Sequence, residues 1–213
     1  MESVRISEIF FSLQGESRSV GWPTVFVRLT GCPLRCAYCD TAYAFTGGER
    51  KTVAEILSAV RRYGPRYVCV TGGEPLAQPA CLNLLDALVE AGYKVSLETS
   101  GALDVSGVNR KVVKVLDLKT PGSGEESRNR YANLDYLDAK DQVKFVIADA
   151  GDYAWAKAKL TEHRLPERCE VLFSPVASVQ AAAELAEAIL RDRLPVRFQV
   201  QLHKILWGEK PGV

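Results

Sequence analysis

The sequence has no excess of charge of either sign: 27 Lys plus Arg stand against 26 Asp plus Glu in 213 residues. A balanced charge provides no field that attracts nucleic acid or a membrane surface, so we expect a small-molecule partner. No apolar run reaches the roughly 18 residues that a membrane span needs. The first residues, MESVRISEIF, lack the basic start and apolar run of a signal peptide. These absences predict a cytoplasmic protein that binds neither nucleic acid nor membrane.

Histidine is scarce and cysteine is not abundant, with two and six residues respectively. Six cysteines without a secretory signal favour metal binding, redox chemistry or simple burial over a disulfide framework. Cys69, Cys81 and Cys169 lie in or beside apolar runs, so we interpret them as buried small hydrophobes without a chemical role. The remaining three cysteines are clustered in one segment.

Short β-rich runs alternate with runs of helical period, as in a parallel sheet built from βα units. The length fits one domain, 1–213, and is short for a closed eight-stranded barrel, which usually needs about 250 residues. We predict an α/β fold: an incomplete TIM-type barrel of about six parallel strands, with helices outside and additions at the edges. The predicted strands are 24–29, 67–71, 94–99, 112–118, 142–148, 169–174 and 197–202. The predicted helices are 52–63, 78–92, 152–163 and 178–192, the last with Ser178 as its cap.

Chemistry-bearing residues follow several predicted strands, at the edge where parallel α/β sheets place their sites. The segments are TGCPLRCAYCDT, TGGEPLAQ, TSGALD and KTPGSG after the first four strands, and HKILWG after the last. The polar loop 120–133 is predicted either to be a solvated connection or to cover the site.

The segment GCPLRCAYCDT, at the start of loop 31–48, spaces its cysteines as CxxxCxxC. A structural zinc site usually has four ligands, and no second CxxC or paired histidines follow. A dithiol of the thioredoxin type would use only Cys36 and Cys39. Thiolates also hold iron–sulfur clusters, and three of them leave one iron of a 4Fe-4S cube open for a ligand. Zinc, a redox dithiol and an iron–sulfur cluster remain alternatives at this point.

CxxxCxxC after the first strand, with TGGEP after the second, resembles the radical S-adenosylmethionine superfamily. The resemblance implies that Cys32, Cys36 and Cys39 hold a 4Fe-4S cluster and that S-adenosylmethionine chelates the fourth iron. It implies a reduced cluster that cleaves this cofactor to a 5'-deoxyadenosyl radical, with electrons from an external donor. The further cofactor contacts implied are Tyr38, Cys39, Asp40, Gly73, Glu74, Glu98, Ser100, Asp117 and Lys119.

FSLQGES, RLTGCPLRCAYCDTAYAF and QLHKILWG together resemble the 7-carboxy-7-deazaguanine synthase family. The resemblance implies ring contraction of 6-carboxy-5,6,7,8-tetrahydropterin with loss of ammonia, on the pathway to queuosine, and a homodimer. Activating enzymes of glycyl-radical proteins also carry CxxxCxxC, so a protein substrate is the nearest alternative. A non-enzymatic zinc or redox module is the other.

Several residues suit that substrate. Donors and acceptors for the pterin edge are expected from Leu13, Gln14, Gly15 and Glu16. The planar guanidinium of Arg28 presents a fork of N–H donors that suits a carboxylate. Thr71 resembles a substrate-contacting position, and His203, expected after the last strand, has a pKa range suited to hydrogen bonding or proton transfer. Thr41 resembles a magnesium ligand, which would need substrate oxygens and waters to complete its shell.

Overall fold

One nine-stranded sheet runs through the protein, whose computed structural model describes residues 2–176, 179–208, 210 and 212. The strand order is β3-β1-β2-β4-β5-β6-β7-β8-β9, and β2 and β4 to β9 are parallel. In the described part of the chain the end strands β3 and β9 do not pair, so the sheet is not closed. The strands are β1 (Ser3–Leu13), β2 (Pro23–Leu29), β3 (Glu49–Thr52), β4 (Tyr67–Gly72), β5 (Lys94–Thr99), β6 (Val113–Asp117), β7 (Gln142–Ile147), β8 (Glu170–Pro175) and β9 (Arg197–Phe198).

The prediction of an incomplete parallel barrel with edge additions is confirmed. Six parallel strands of five or more residues form its centre, β2 and β4 to β8. The edge additions are β1, which pairs antiparallel with β2, and β3, which pairs antiparallel with β1. The single domain over 1–213 stays a prediction.

The helices follow the apolar periodicity. They are α1 (Val53–Tyr63), α2 (Cys81–Glu90), α3 (Ala150–Glu162), α4 (Leu165–Arg168), α5 (Val179–Asp192) and α6 (Leu202–Trp207). Thr52 caps α1 in a reciprocal capping box with Glu55, so the predicted start at 52 is the cap itself. Leu84, Leu85 and Leu88 of α2 are fully buried in the core beside the sheet. The predicted cap Ser178 lies outside the described residues.

The predicted last strand, 197–202, is wrong in its length. β9 has two residues, and α6 begins at Leu202, so His203 lies in a helix and not directly after a strand. Val200, Leu202 and neighbouring apolar residues alternate as in a strand, but the polar side chains between them bind other segments. Gln199 and Gln201 hydrogen-bond the loop that follows β1.

That loop closes the space between the two edges of the sheet. Leu13 pairs with Pro23, so the chain leaves β1 at the amino ends of the parallel strands. The Ser17 backbone then exchanges two hydrogen bonds with the Gln199 amide, of 2.6 and 2.9 Å, and Gln142 of β7 accepts from the next backbone N–H. These buried amides fix the backbone of residues 17 and 18 against the far side of the sheet, while the Arg18 side chain stays exposed.

Candidate active site

A cavity of about 540 Å³ is lined by residues at and after the carboxyl ends of the parallel strands and by the loop after β1. This volume is ordinary for a small-molecule site. The residues that the sequence predicts as ligand contacts line it, with the exception of Glu74. They come from the end of β1 and the loop after it, from β2, β4, β5 and β6 with the segments that follow these strands, and from α6: Leu13, Gln14, Gly15, Glu16, Arg28, Cys32, Cys36, Tyr38, Cys39, Asp40, Thr41, Thr71, Gly73, Glu98, Ser100, Asp117, Lys119 and His203.

The three clustered thiols are free and share this cavity, whereas Cys69, Cys81 and Cys169 are buried as predicted. Burial raises the pKa of Cys32 and Cys36, and the Lys119 ammonium acts in the opposite direction. A cation beside the thiols favours the thiolate form that iron requires. Among the described residues, no three His, Cys, Asp or Glu side chains are grouped so as to hold a metal ion on their own.

Loop 120–133 supports the cysteine loop from behind. The N–H of Ala37 donates to Ser123, and that of Arg35 donates to the Glu125 carboxylate. The Tyr38 hydroxyl lies 3.2 Å from that of Thr120, and burial raises the pKa of Tyr38 to about 12. The loop therefore holds the cysteine segment in place and is not a free solvated connection.

The TGGEP turn packs against the same segment. A Cβ on Gly73 would collide with the Gly31 backbone and approach the Cβ of Cys32 to 2.9 Å. The N–H groups of Gly73 and Glu74 donate to Leu29 and Gly31. Glycine is therefore required here for close approach of two backbones, in addition to any ligand contact.

Glu74 is fully buried and does not line the cavity. Its carboxylate accepts hydrogen bonds from the Thr99 hydroxyl, from the Ser100 hydroxyl and N–H, and from the N–H of Leu76. These bonds join the turn after β4 to the end of β5. The side chain of Glu74 thus shapes the wall, while its predicted cofactor contact stays a prediction.

Asp117 carries the one unsatisfied carboxylate oxygen in this wall among the described residues. Its Oδ2 lies 3.0 Å from the Lys119 ammonium and 3.5 Å from that of Lys144, whereas its Oδ1 is buried without a partner. A buried acceptor without a donor costs free energy until a ligand or water supplies one. The atom suits a ligand hydroxyl.

The family resemblance implies a cofactor contact for Glu98, but in the structure Glu98 is hydrogen-bonded to two predicted substrate contacts. Its carboxylate accepts from the Gln14 amide at 3.2 Å and from the Thr71 hydroxyl at 2.9 Å. Gln14 is nearly buried, and its carbonyl oxygen accepts from the N–H of Glu16. Both ends of the Gln14 amide are thus used within the protein, so Gln14 shapes this wall more than it offers free groups.

Lys144 and Gln201 are functional candidates that sequence reasoning missed. The Lys144 ammonium lies 2.7 Å from Glu16, and the Gln201 amide donates to the other Glu16 oxygen at 2.7 Å. Burial by itself would raise the pKa of Glu16, but Lys144 and these hydrogen bonds outweigh it and the pKa is lowered. A lysine inside the apolar strand QVKFVI was a usable signal, because a buried cation needs a carboxylate partner. Nothing in the sequence singles out Gln201.

Asp40 and Thr41 continue this hydrogen-bond network, because Gln201 contacts both Glu16 and Asp40. The Thr41 hydroxyl donates to Asp40 at 2.7 Å, and Gln201 and Lys204 reach the second Asp40 oxygen at 3.2 and 3.4 Å. Burial opposes ionisation, yet these partners lower the pKa of Asp40 to about 2. The carboxylate is therefore ionised, and α6 holds it beside the cysteine loop.

Helix α6 brings His203 to the cavity by a close contact with the loop after β1. A Cβ on Gly15 would collide with the His203 ring, and the N–H of Leu202 donates to the carbonyl of Gly15. Lys204, Gly208, Lys210 and Gly212 continue along the rim.

Three free cysteines at the carboxyl ends of a parallel, unclosed barrel define a radical S-adenosylmethionine protein, and residues 26–118 match the radical SAM superfamily. The fold resembles the crystal structure of QueE from Escherichia coli, with a TM-score of 0.78 at 23% identity over 94% of this chain and 95% of that one.

The chain belongs to the 7-carboxy-7-deazaguanine synthase family. It is 44% identical to the synthase of Chlorobaculum tepidum over 96% of this chain and 94% of the relative. It is 42% identical to the synthase of Koribacter versatilis over 99% of this chain and all of the relative. In the described part of the chain, no helix is long and apolar enough to cross a membrane.

Proposed function

We propose that this chain converts 6-carboxy-5,6,7,8-tetrahydropterin to 7-carboxy-7-deazaguanine with loss of ammonia, as a carbon–nitrogen lyase in queuosine biosynthesis. The observation that carries the proposal is 44% identity to a 7-carboxy-7-deazaguanine synthase over nearly the whole of both chains. The segments that distinguish this family from activating enzymes, FSLQGES and CDTAYAF, both contribute to the cavity wall.

The residues present fit a 4Fe-4S cluster and S-adenosylmethionine. Three free thiols share one cavity, with Lys119 beside them and an unpartnered Asp117 oxygen in the wall for a hydroxyl donor. When bound, the cluster and its cofactor supply the radical that removes a hydrogen atom from the substrate. The protein positions both molecules and keeps water out.

For the substrate, we assign recognition of the amino-bearing pterin edge to Glu16. Its carboxylate is ionised, and Lys144 and Gln201 fix its position. Arg28 has terminal nitrogens available for the carboxyl group. His203 on α6 also lines the cavity, and we assign it a hydrogen bond to the substrate. Because the contacts come from three different elements of the cavity wall, they would orient a rigid planar ring.

We assign magnesium to Thr41. Its hydroxyl hydrogen is directed to Asp40, which leaves the oxygen lone pairs for a cation, and the Asp40 carboxylate adds negative charge nearby. A single neutral hydroxyl is a weak ligand, so the ion would take its other oxygens from substrate and water. Magnesium affinity should therefore depend on substrate.

We also propose that the enzyme receives electrons from an external donor and forms a homodimer. We place the enzyme in the cytoplasm, because three thiols that must bind iron need a compartment that keeps them reduced.

The deciding experiment is an anaerobic assay of the reconstituted protein with S-adenosylmethionine, dithionite, magnesium and the carboxylated tetrahydropterin, followed by mass spectrometry. Formation of 7-carboxy-7-deazaguanine and ammonia is expected. Cofactor cleavage without that product would leave a radical enzyme with another substrate, such as a protein partner. A colourless protein that binds zinc and no iron would contradict the proposal altogether.

A further inference from the structure

Arg28 is a mostly buried cation with part of its hydrogen-bonding capacity unused. It lies on β2 in the cavity wall, and its side chain is 16% exposed. Its Nε donates to Glu8 Oε1 at 2.7 Å. Among the residues that the structure describes, no partner receives a hydrogen bond from the two terminal nitrogens, which therefore form a free planar fork beside the cavity.

Glu8 is placed for this contact by the strand ladder. It lies directly across from Arg28 in the β1–β2 pair, and the register shifts between Ile6 and Glu8. Such a bulge redirects the side chain that follows it. Two residues further along the ladder, Phe10 and Phe26 stack at 4.9 Å and lie under the guanidinium, whose carbon is 5.8 Å from the Phe10 ring centre.

Tyr43 ties the same carboxylate to the cysteine loop. Its hydroxyl donates to Glu8 Oε1 at 2.8 Å, and its ring centre lies 5.9 Å from the guanidinium carbon. Burial raises the pKa of Tyr43 to about 12, in spite of the opposing Arg28 charge, so the hydroxyl stays a donor. The Glu8 carboxylate is thus shared by the arginine and by the loop that carries Thr41.

We propose that Glu8 and Tyr43 are positioning residues for Arg28, and that the Glu8 charge makes its fork select a singly charged carboxylate over a doubly charged group. This rests on the proposed function, in which Arg28 receives the substrate's carboxyl group. Sequence reasoning assigned a role to Arg28 alone.

The selectivity follows from the charges that surround the guanidinium. Glu8 offsets the single positive charge of Arg28, and Glu98 adds a second negative charge nearby. A monoanionic carboxylate gains two hydrogen bonds from the fork with little added repulsion. The second charge of a dianion would face the Glu8 carboxylate, and repulsion at this range is strong when the groups are largely buried.

The test uses the reconstituted protein at pH 7 and three fluorescent ligands: pterin-6-carboxylate, 6-hydroxymethylpterin monophosphate and neutral 6-hydroxymethylpterin. A phosphate monoester is largely dianionic at this pH. Glu8→Gln keeps an acceptor for Arg28 Nε and removes the charge. We expect it to tighten phosphate binding about 10-fold relative to carboxylate binding, with the neutral ligand unchanged within about twofold.

Tyr43→Phe is the matched second variant, because it removes only the hydroxyl bond to Glu8 and keeps the ring beside Arg28. It should weaken carboxylate binding several-fold and leave the carboxylate-to-phosphate ratio as in wild type. An equal change for all three ligands in Glu8→Gln, or an unchanged ratio, would overturn the inference. Failure of the proposed function looks different: the wild type itself would then neither bind pterin-6-carboxylate nor turn over the tetrahydropterin.

Discussion

Replacing Lys144 by Met tests whether the buried cation holds Glu16 in the cavity. In the wild type, the Lys144 ammonium lies 2.7 Å from Glu16 and 3.5 Å from Asp117, and all three groups are mostly buried. Met preserves the length and apolar stem of the side chain and removes the charge. Asp117 keeps Lys119 at 3.0 Å, whereas Glu16 keeps only the Gln201 amide. The uncompensated charge therefore falls on Glu16.

Removing one partner of a buried ion pair costs about 3–5 kcal/mol. The Glu16 and Lys144 side chains keep 13% and 14% exposure, and Gln201 remains, so we expect a loss of about 2–3 kcal/mol in the free energy of unfolding at pH 8. The lowered pKa of Glu16 means that the wild-type stabilisation is present above the unfolded-state pKa and is lost as the pH falls through the folded pKa. In the variant, burial is no longer outweighed, so the pKa of Glu16 rises and protonation at low pH relieves the cost. The difference in the free energy of unfolding between the wild type and Lys144→Met should therefore shrink by about half toward pH 5.

The measurement is urea unfolding of both chains without cluster, under reducing conditions, at pH 8 and pH 5. Lys51→Met is the control, because Lys51 pairs with Glu49 at 3.0 Å on the exposed edge strand and should change stability by less than about 1 kcal/mol. A loss for Lys144→Met that equals the control, or one that grows as the pH falls, would refute the reasoning.

Three further predictions concern the cavity. Cys36→Ala should lose bound iron and acid-labile sulfide, whereas Cys81→Ala, at a buried position outside the cavity, should keep both. Equal iron content in the two variants would count against Cys36 as a cluster ligand. Gly73→Ala should lower stability by about 1–3 kcal/mol and reduce iron incorporation, because its Cβ collides with the backbone that leads into Cys32; unfolding curves and iron analysis that match wild type would contradict this packing. Thr41→Val keeps the shape of the side chain and removes the hydroxyl, so magnesium should no longer tighten binding of pterin-6-carboxylate. Titrations of this ligand with and without magnesium measure the effect. If another residue held the ion, magnesium would tighten binding as much as in the wild type.

Local patterns were sufficient for most of the sheet and for the position of the site. The β-rich runs predicted six parallel strands whose residue ranges nearly match the observed ones, since buried parallel strands have few polar residues. Strand β1 was not predicted as such, and β3, ERKT, was missed because an exposed edge strand of charged residues lacks apolar alternation. The last strand was predicted to run to residue 202 because QVQL alternates, whereas β9 ends at Phe198 and the glutamines Gln199 and Gln201 bind residues 17 and 16.

The sequence by itself determined where the cavity lies and many of the residues in its wall, because side chains that follow parallel strands must meet at one edge of the sheet. Only the tertiary structure decided how those residues pair. Glu8 with Arg28, Glu16 with Lys144 and Glu98 with Gln14 are separated by 20, 128 and 84 positions, and no local pattern records such distances. Glu8 meets Arg28 through the β1–β2 ladder, whereas Gln14 and Glu16 meet their partners only when the loop after β1 crosses the open sheet. Burial of an unpaired charge costs more than any local preference supplies.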